Sequence, residues 1–159
     1  MDQNSIAKLQ LLHPKLRDTA ILAYTQAVNA TPANVHPVID QTYRTFAQSQ
    51  ALYNQGRTTP GQIVTWALPG HSWHNWALAL DFHLIVDGKD VWPDEPLNDP
   101  NWMKVVSIFE SHGFNSGLYF PKGEVDAPHL ESKLGQTIAG LLALEEAGKF
   151  IPGTTYINF

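Results

Sequence analysis

Apolar residues recur every three to four positions in two N-terminal stretches, 5–12 and 16–30, and this spacing predicts two helices. In the second, Leu16, Ala20, Ala23, Tyr24, Ala27 and Val28 share one face, and Thr31-Pro32 closes it. Val38 to Tyr43 predicts a short strand and Arg44 to Tyr53 a helix. The run from Asn54 to Gly61 is turn-rich and predicts a loop. Gln62 to Trp66 predicts a strand, ended by the Pro69-Gly70 turn. The period then changes to two. Between Leu78 and Val86, residues Leu78, Leu80, Phe82 and Leu84 fall on one face and Ala79, Asp81 and His83 on the other, the clearest strand in the chain. Asp87-Gly88-Lys89 turns it into a second strand around Asp90 to Trp92. Residues 99–112 predict a helix with Asp99 as N-cap, Pro100 at the first position and Gly113 as stop. Residues 114–127 read as loop, His129 to Gly135 as a short strand, and Gln136 to Lys149 as a helix containing Gly140.

Strands in the middle with helices at both ends, and no regular βαβ alternation, predict an α+β domain with a small central antiparallel sheet. One domain spans 1–159: a helical N-terminal segment (1–35), a core (36–135) and a C-terminal helix and tail (136–159).

Composition narrows the function classes. Of the 159 residues 43% are hydrophobic and 16% charged, which supports a packed core and excludes disorder. Net charge is −5, and no basic block exists to bind nucleic acid. Cysteine is absent, so any metal site has to use His and carboxylates. No stretch reaches the ~18 apolar residues of a membrane span. The first residues lack a basic stretch followed by an apolar one, so no signal peptide is read there, and the compartment stays open. Nothing predicts an oligomer, and a monomer is expected.

Candidate chemistry concentrates in two segments. In Ser72-Trp73-His74-Asn75-Trp76-Ala77-Leu78-Ala79-Leu80-Asp81, His74 and Asp81 are seven residues apart. On one helix they would lie ~10 Å apart along the axis. On one strand they would face opposite ways. Neither arrangement lets both touch one ion at the ~2.0–2.2 Å zinc requires. A shared site needs a bend between them, with Asp81 on the strand and His74 on the turn before it. Asp is depleted in strands, so Asp81 is itself a candidate for a role. In Asp126-Ala127-Pro128-His129-Leu130-Glu131, Pro128 biases Ala127 toward an extended conformation and brings Asp126 and His129 near each other at the mouth of a strand. A third zinc ligand (His129) and an acid/base (Asp126) would complete a hydrolytic site. Glu131 is placed to orient His129.

These pieces, in order, resemble the zinc peptidases of the D-Ala-D-Ala carboxypeptidase and L-alanyl-D-glutamate endopeptidase family, which includes phage endolysins and vancomycin-resistance D,D-peptidases. The resemblance runs from about Val38 to Glu131. It rests on Ser-x-His followed by Ala-x-Asp, on the later Asp-x-Pro-His, on Thr42-Tyr43-Arg44-Thr45-Phe46-Ala47-Gln48, on Gln55-Gly56-Arg57-Thr58 and on the Pro69-Gly70-x-Ser72 turn. It implies one zinc ion held by His74, Asp81 and His129, with Asp126 as general base. It implies Arg44 as substrate ligand and oxyanion partner, Ser72 and Gln48 as further substrate contacts, and a peptidoglycan stem peptide as substrate. Two positions depart from the family pattern: Ala77 stands where Gly is frequent, and Val125 where Trp is frequent.

Plainer readings stand beside these. His74 alone would be a structural histidine, Asp126 a turn cap, Arg44 a surface ion-pair residue and Ser72 a cap. His71 and His83 are pocket-lining at most. His13, His36 and His112 are expected at the surface, and Trp73, Trp76 and Trp92 in the core or a pocket wall. The leading function is an L-alanyl-D-glutamate endopeptidase. The alternatives are a D-alanyl-D-alanine carboxypeptidase, an inactive zinc-stabilised wall-binding module, and a metal-free structural domain.

Overall fold

In a computed structural model describing residues 2–159, a five-stranded antiparallel sheet is built around β2 (Ala79–Val86). One edge of β2 pairs from Asp81 to Val86 with β1 (Val35–Gln41). The other edge is shared: β3 (Lys89–Val91) pairs with Leu84 to Val86, and β5 (His129–Glu131) pairs with Ala79 to Asp81. A two-residue β4 (Asn115–Ser116) closes the order β1-β2-β5-β4. The β2–β3 turn places Asp87 at φ 51° and Gly88 at φ 76°, the left-handed pair that tight hairpins use.

The alternation read from the sequence decides the layering. Leu80, Phe82 and Leu84 of β2 and Val35 and Ile39 of β1 are buried, in a core shared with α2 (Pro14–Ala30) and α4 (Pro100–Ser111). Trp102 of α4 lies on Phe82, ring centres 4.4 Å apart, and Tyr24 of α2 donates to the Pro37 carbonyl at 3.1 Å. Fully burying each such side chain contributes about 1.5–3 kcal/mol. Asp99 caps α4 as predicted, accepting from Asn101 N (2.8 Å) and Trp102 N (2.9 Å). The free edge of β1 is covered by α1 (Gln3–Leu9), whose Ser5 hydroxyl accepts from Ile39 N at 2.9 Å and whose Lys8 donates to Ile39 O at 2.7 Å. α3 (Phe46–Asn54) and α5 (Ile138–Glu146) complete the α+β domain.

Several expectations need correction. Residues 62–66 form no strand. Side chains hold this backbone instead, with Gln55 Nε2 donating to Gln62 O (3.1 Å) and Arg57 to Thr65 O (3.0 Å). The strand at His129 stops at Glu131, before Leu134 and Gly135 take left-handed φ values of 47° and 76°. The helix predicted from Arg44 begins at Phe46, because Thr45 and Gln48 form a capping box. β1 starts at Val35, three residues early. The stretch read as loop after Phe114 contains β4.

His13 is fully buried rather than at the surface. It caps α2, accepting from Lys15 N at Nδ1, and its Nε2 lies 2.9 Å from the Ile157 carbonyl. His112 is half-buried against Gln26, whereas His36 is exposed. Trp92 is 54% exposed, since it lies just past the short β3, with its ring stacked on His83.

Candidate metal centre

The bend that the His74–Asp81 spacing demands is made by a 3₁₀ turn over Trp73–Trp76 followed by Ala77 in the left-handed region (φ 57°, ψ 35°). This conformation costs an alanine about 1–2 kcal/mol and would cost a glycine little. The chain then enters β2 at Ala79. Two further contacts fix the turn. Arg44 N donates to the His74 carbonyl (3.0 Å), and Asn75 bonds the loop to the start of α3, accepting from Gly70 N and donating to Arg44 O and Ser49 Oγ.

Asp81 sits in β2 directly between Gln41 of β1 and His129 of β5. The register therefore makes Gln41, Asp81 and His129 neighbours across three strands, and the turn delivers His74 from the side. His74 Nε2, His129 Nδ1 and Asp81 Oδ1 form a nearly equilateral triangle with edges of 3.2, 3.3 and 3.3 Å. Four ligands arranged tetrahedrally at ~2.0–2.1 Å from zinc lie ~3.3–3.4 Å apart. The three atoms thus have the spacing of three corners of a zinc tetrahedron.

The outward nitrogens support the same reading. His74 Nδ1 lies 2.7 Å from the Thr42 carbonyl, and His129 Nε2 lies 3.1 Å from Glu131 Oε2. A carbonyl and a carboxylate both require N–H at those positions, which leaves Nε2 of His74 and Nδ1 of His129 as lone-pair donors toward the centre. Glu131 is buried and also meets Lys133 Nζ at 3.2 Å. The donor set attracts positive charge. Burial presses the His129 pKa down, but its bonds to Asp81 and Glu131 and the nearby carboxylate charges outweigh this and carry it up to about 9. Burial raises the Asp81 carboxyl, yet its bonds to His129 and His74 hold it well below the usual range.

A cleft of about 420 Å³ opens over the triangle, and Arg44, Ser72 and Asp126 line it together with His74, Asp81 and His129. Asp126 reaches it from the turn before β5, fixed by Asp126 N to Gly117 O (3.0 Å) and His129 N to Asp126 O (3.2 Å). Its residue surface is open to solvent, but the crowded cleft and the charge of Asp81 raise its carboxyl above the ordinary range, against the pull of His129, His74 and Arg44. Arg44 directs Nε and Nη2 onto the single side-chain oxygen of Gln41, the former at 3.2 Å. Gln48 stands apart. Its carbonyl oxygen is engaged by Thr45 in the α3 capping box, and it lines a neighbouring depression that shares Gln41 and Leu52 with the cleft. His71 is exposed and His83 lies farther along β2.

Two residues escaped sequence reading. Gln41 gave no signal because its role depends on cross-strand register. Gly117 passes directly beneath the Asp126 turn, where an added Cβ would lie 2.3 Å from Asp126 O and 3.1 Å from His129 Cβ. Its φ is not positive, so no turn signature marked it. A second cavity of about 240 Å³, between Tyr43, Phe46, Trp76 and the tail, holds Glu145 as its one ionisable side chain besides tyrosines and none of the converging donors.

Residues 67–132, which contain His74, Asp81, Asp126 and His129, match the D-alanyl-D-alanine carboxypeptidase family. The peptidoglycan L-alanyl-D-glutamate endopeptidase CwlK of Bacillus subtilis is 39% identical over 127 residues, covering 76% of this chain and 72% of CwlK. Among solved structures, the L-Ala D-Glu endopeptidase ChiX of Serratia marcescens superposes with a TM-score of 0.58 at 16% identity, covering 83% of this chain and 88% of ChiX. The D,D-dipeptidase VanXYg, a vancomycin-resistance protein, gives 0.57 at 19% identity, covering 86% of this chain and 55% of its own. At these identities the two structures are likenesses of fold.

Proposed function

The chain belongs to the D-alanyl-D-alanine carboxypeptidase family of zinc peptidases, and from that premise we propose that it is an L-alanyl-D-glutamate endopeptidase acting on the stem peptide of peptidoglycan. The observation that carries the catalytic part is the triangle of His74 Nε2, Asp81 Oδ1 and His129 Nδ1, whose edges suit one zinc ion. Identity with CwlK supports the choice of bond. The substrate sets the compartment: the cell wall, in the periplasm or outside the cell. We read the protein as a monomer.

Bound zinc supplies Lewis acidity that polarises a carbonyl and activates water. The protein does the rest. Asp126, held above the ordinary carboxylate range, accepts the proton of the attacking water and returns it to the leaving amine. Arg44, fixed by Gln41, faces the oxygen that gains negative charge. Glu131 and the Thr42 carbonyl hold the two imidazoles in their donor tautomers. Ser72 on the cleft wall contacts the substrate backbone, and Gln48 contributes from the adjoining depression.

The family match to D-alanyl-D-alanine carboxypeptidases favours a second reading, removal of the terminal D-Ala. Digestion of purified muropeptides followed by mass spectrometry separates the two. The endopeptidase reading expects cleavage between L-Ala and D-Glu. Loss of terminal D-Ala alone would overturn it.

A further inference from the structure

Trp66 is 77% exposed, the most exposed large hydrophobic side chain among the described residues. It belongs to the irregular segment 62–68, and its neighbours Thr65 and Ala67 line the cleft together with Val64. Trp66 is thus carried by the segment that forms one wall of the cleft. It is also held in place. The Arg57 guanidinium lies 4.0 Å from the Tyr53 ring centre and 5.0 Å from that of Trp66. Arg57 also donates to Tyr53 O (2.6 Å) and Thr65 O (3.0 Å), tying the segment to α3. One face of the indole thus rests on a fixed cation and the remainder meets water. A large apolar ring kept in water by a built support has the form of a binding platform.

We propose that Trp66 is a stacking platform for a pyranose ring, so that the enzyme's cleft continues into a subsite for the N-acetylated amino sugar that carries the stem peptide. The inference rests on the endopeptidase reading. The bond between the first and second stem residues has only one amino acid between it and the lactyl arm of the sugar. One residue spans at most ~3.6 Å, so a bound substrate keeps the sugar within one residue's reach of the scissile bond. No further peptide exists on that side, and recognition there has to be of the carbohydrate. A pyranose presents an apolar C–H face edged by polar groups, which suits a flat ring exposed on one face.

The test compares a disaccharide-linked tetrapeptide with the same tetrapeptide lacking sugar, on wild-type protein, Trp66→Phe and Trp66→Ala. Trp66→Ala is expected to lower kcat/KM on the sugar-linked substrate about tenfold, chiefly through KM, and to leave the free peptide within about twofold. Trp66→Phe should retain most of the preference. Equal losses on both substrates, or none on either, would overturn the platform. If the wild-type protein leaves the L-Ala–D-Glu bond of both substrates intact, the endopeptidase reading fails instead. Tryptophan fluorescence titration with the disaccharide alone then decides the platform without cleavage: a saturable change lost in Trp66→Phe and Trp66→Ala supports it, and no change in wild type overturns it.

Discussion

Two histidine–carboxylate clusters occupy the same face of β2, two residues apart, and they differ in where their donors point. At His83, Nδ1 meets Asp40 at 2.7 Å and Nε2 meets Asp90 at 3.3 Å, while the ring stacks on Trp92. The carboxylates lie at opposite edges of one ring, so the donors spread outward and share no point in space. At Asp81, each histidine turns one nitrogen outward to a fixed acceptor and the other inward, and the three inward atoms lie 3.2–3.3 Å apart. Both clusters have the composition of a metal site. Only the second converges, and convergence comes from three separate elements: a 3₁₀ turn, a central strand and its neighbour.

The sharpest way to break this contrast is to remove one histidine from each cluster. His129→Ala should abolish zinc binding and reduce hydrolysis to background, whereas His83→Ala should keep zinc and hold kcat within about threefold. Equal losses would show that convergence is not what separates them. Next in size is Asp126→Ala, which leaves the triangle whole. Zinc stoichiometry should be unchanged while kcat falls by roughly 10²–10⁴, measured on muropeptides. Smaller again is Glu131→Gln, which keeps the shape beside His129 but weakens its acceptor. Zinc affinity should fall about 10–100-fold by competition with a chelator, and Asp40→Asn beside His83 should not change it.

The smallest effect concerns a histidine outside both clusters, His13. Burial lowers the His13 pKa below the ordinary value of 6.5, against the bond to Ile157. The unfolded chain therefore binds this proton more readily than the folded one. His13's contribution to stability is complete above 6.5 and declines as pH falls toward the folded value. The melting temperature of wild type should drop more between pH 7 and 5 than that of His13→Asn, and parallel profiles would contradict this account.

How much the sequence revealed follows the range of the forces involved. The alternation from Leu78 to Leu84 reports which face of one strand is buried, and the structure buries Leu80, Phe82 and Leu84 as that pattern demands. Asp99, Pro100 and Gly113 bound α4 because capping is local. The need for a bend between His74 and Asp81 was likewise legible, since it follows from the geometry of regular elements alone. What stayed hidden depends on partners distant in sequence. Gln41 stands beside Asp81 only through the β1–β2 register and the irregularity between Ile39 and Gln41. Gly117 matters because another turn crosses over it. His13 is buried by the tail, more than 140 residues away. Residues 62–66 have a strand's composition but no strand beside them, and side chains from α3 and its loop claim their carbonyls.

The three inward atoms are proposed to hold one zinc ion. Zinc titration against a competing chelator, on wild type and Asp81→Ala side by side, tests it most directly. One zinc per wild-type chain is expected, with tight binding lost in Asp81→Ala and the circular dichroism of the variant unchanged. Equally tight zinc binding by both proteins would contradict it.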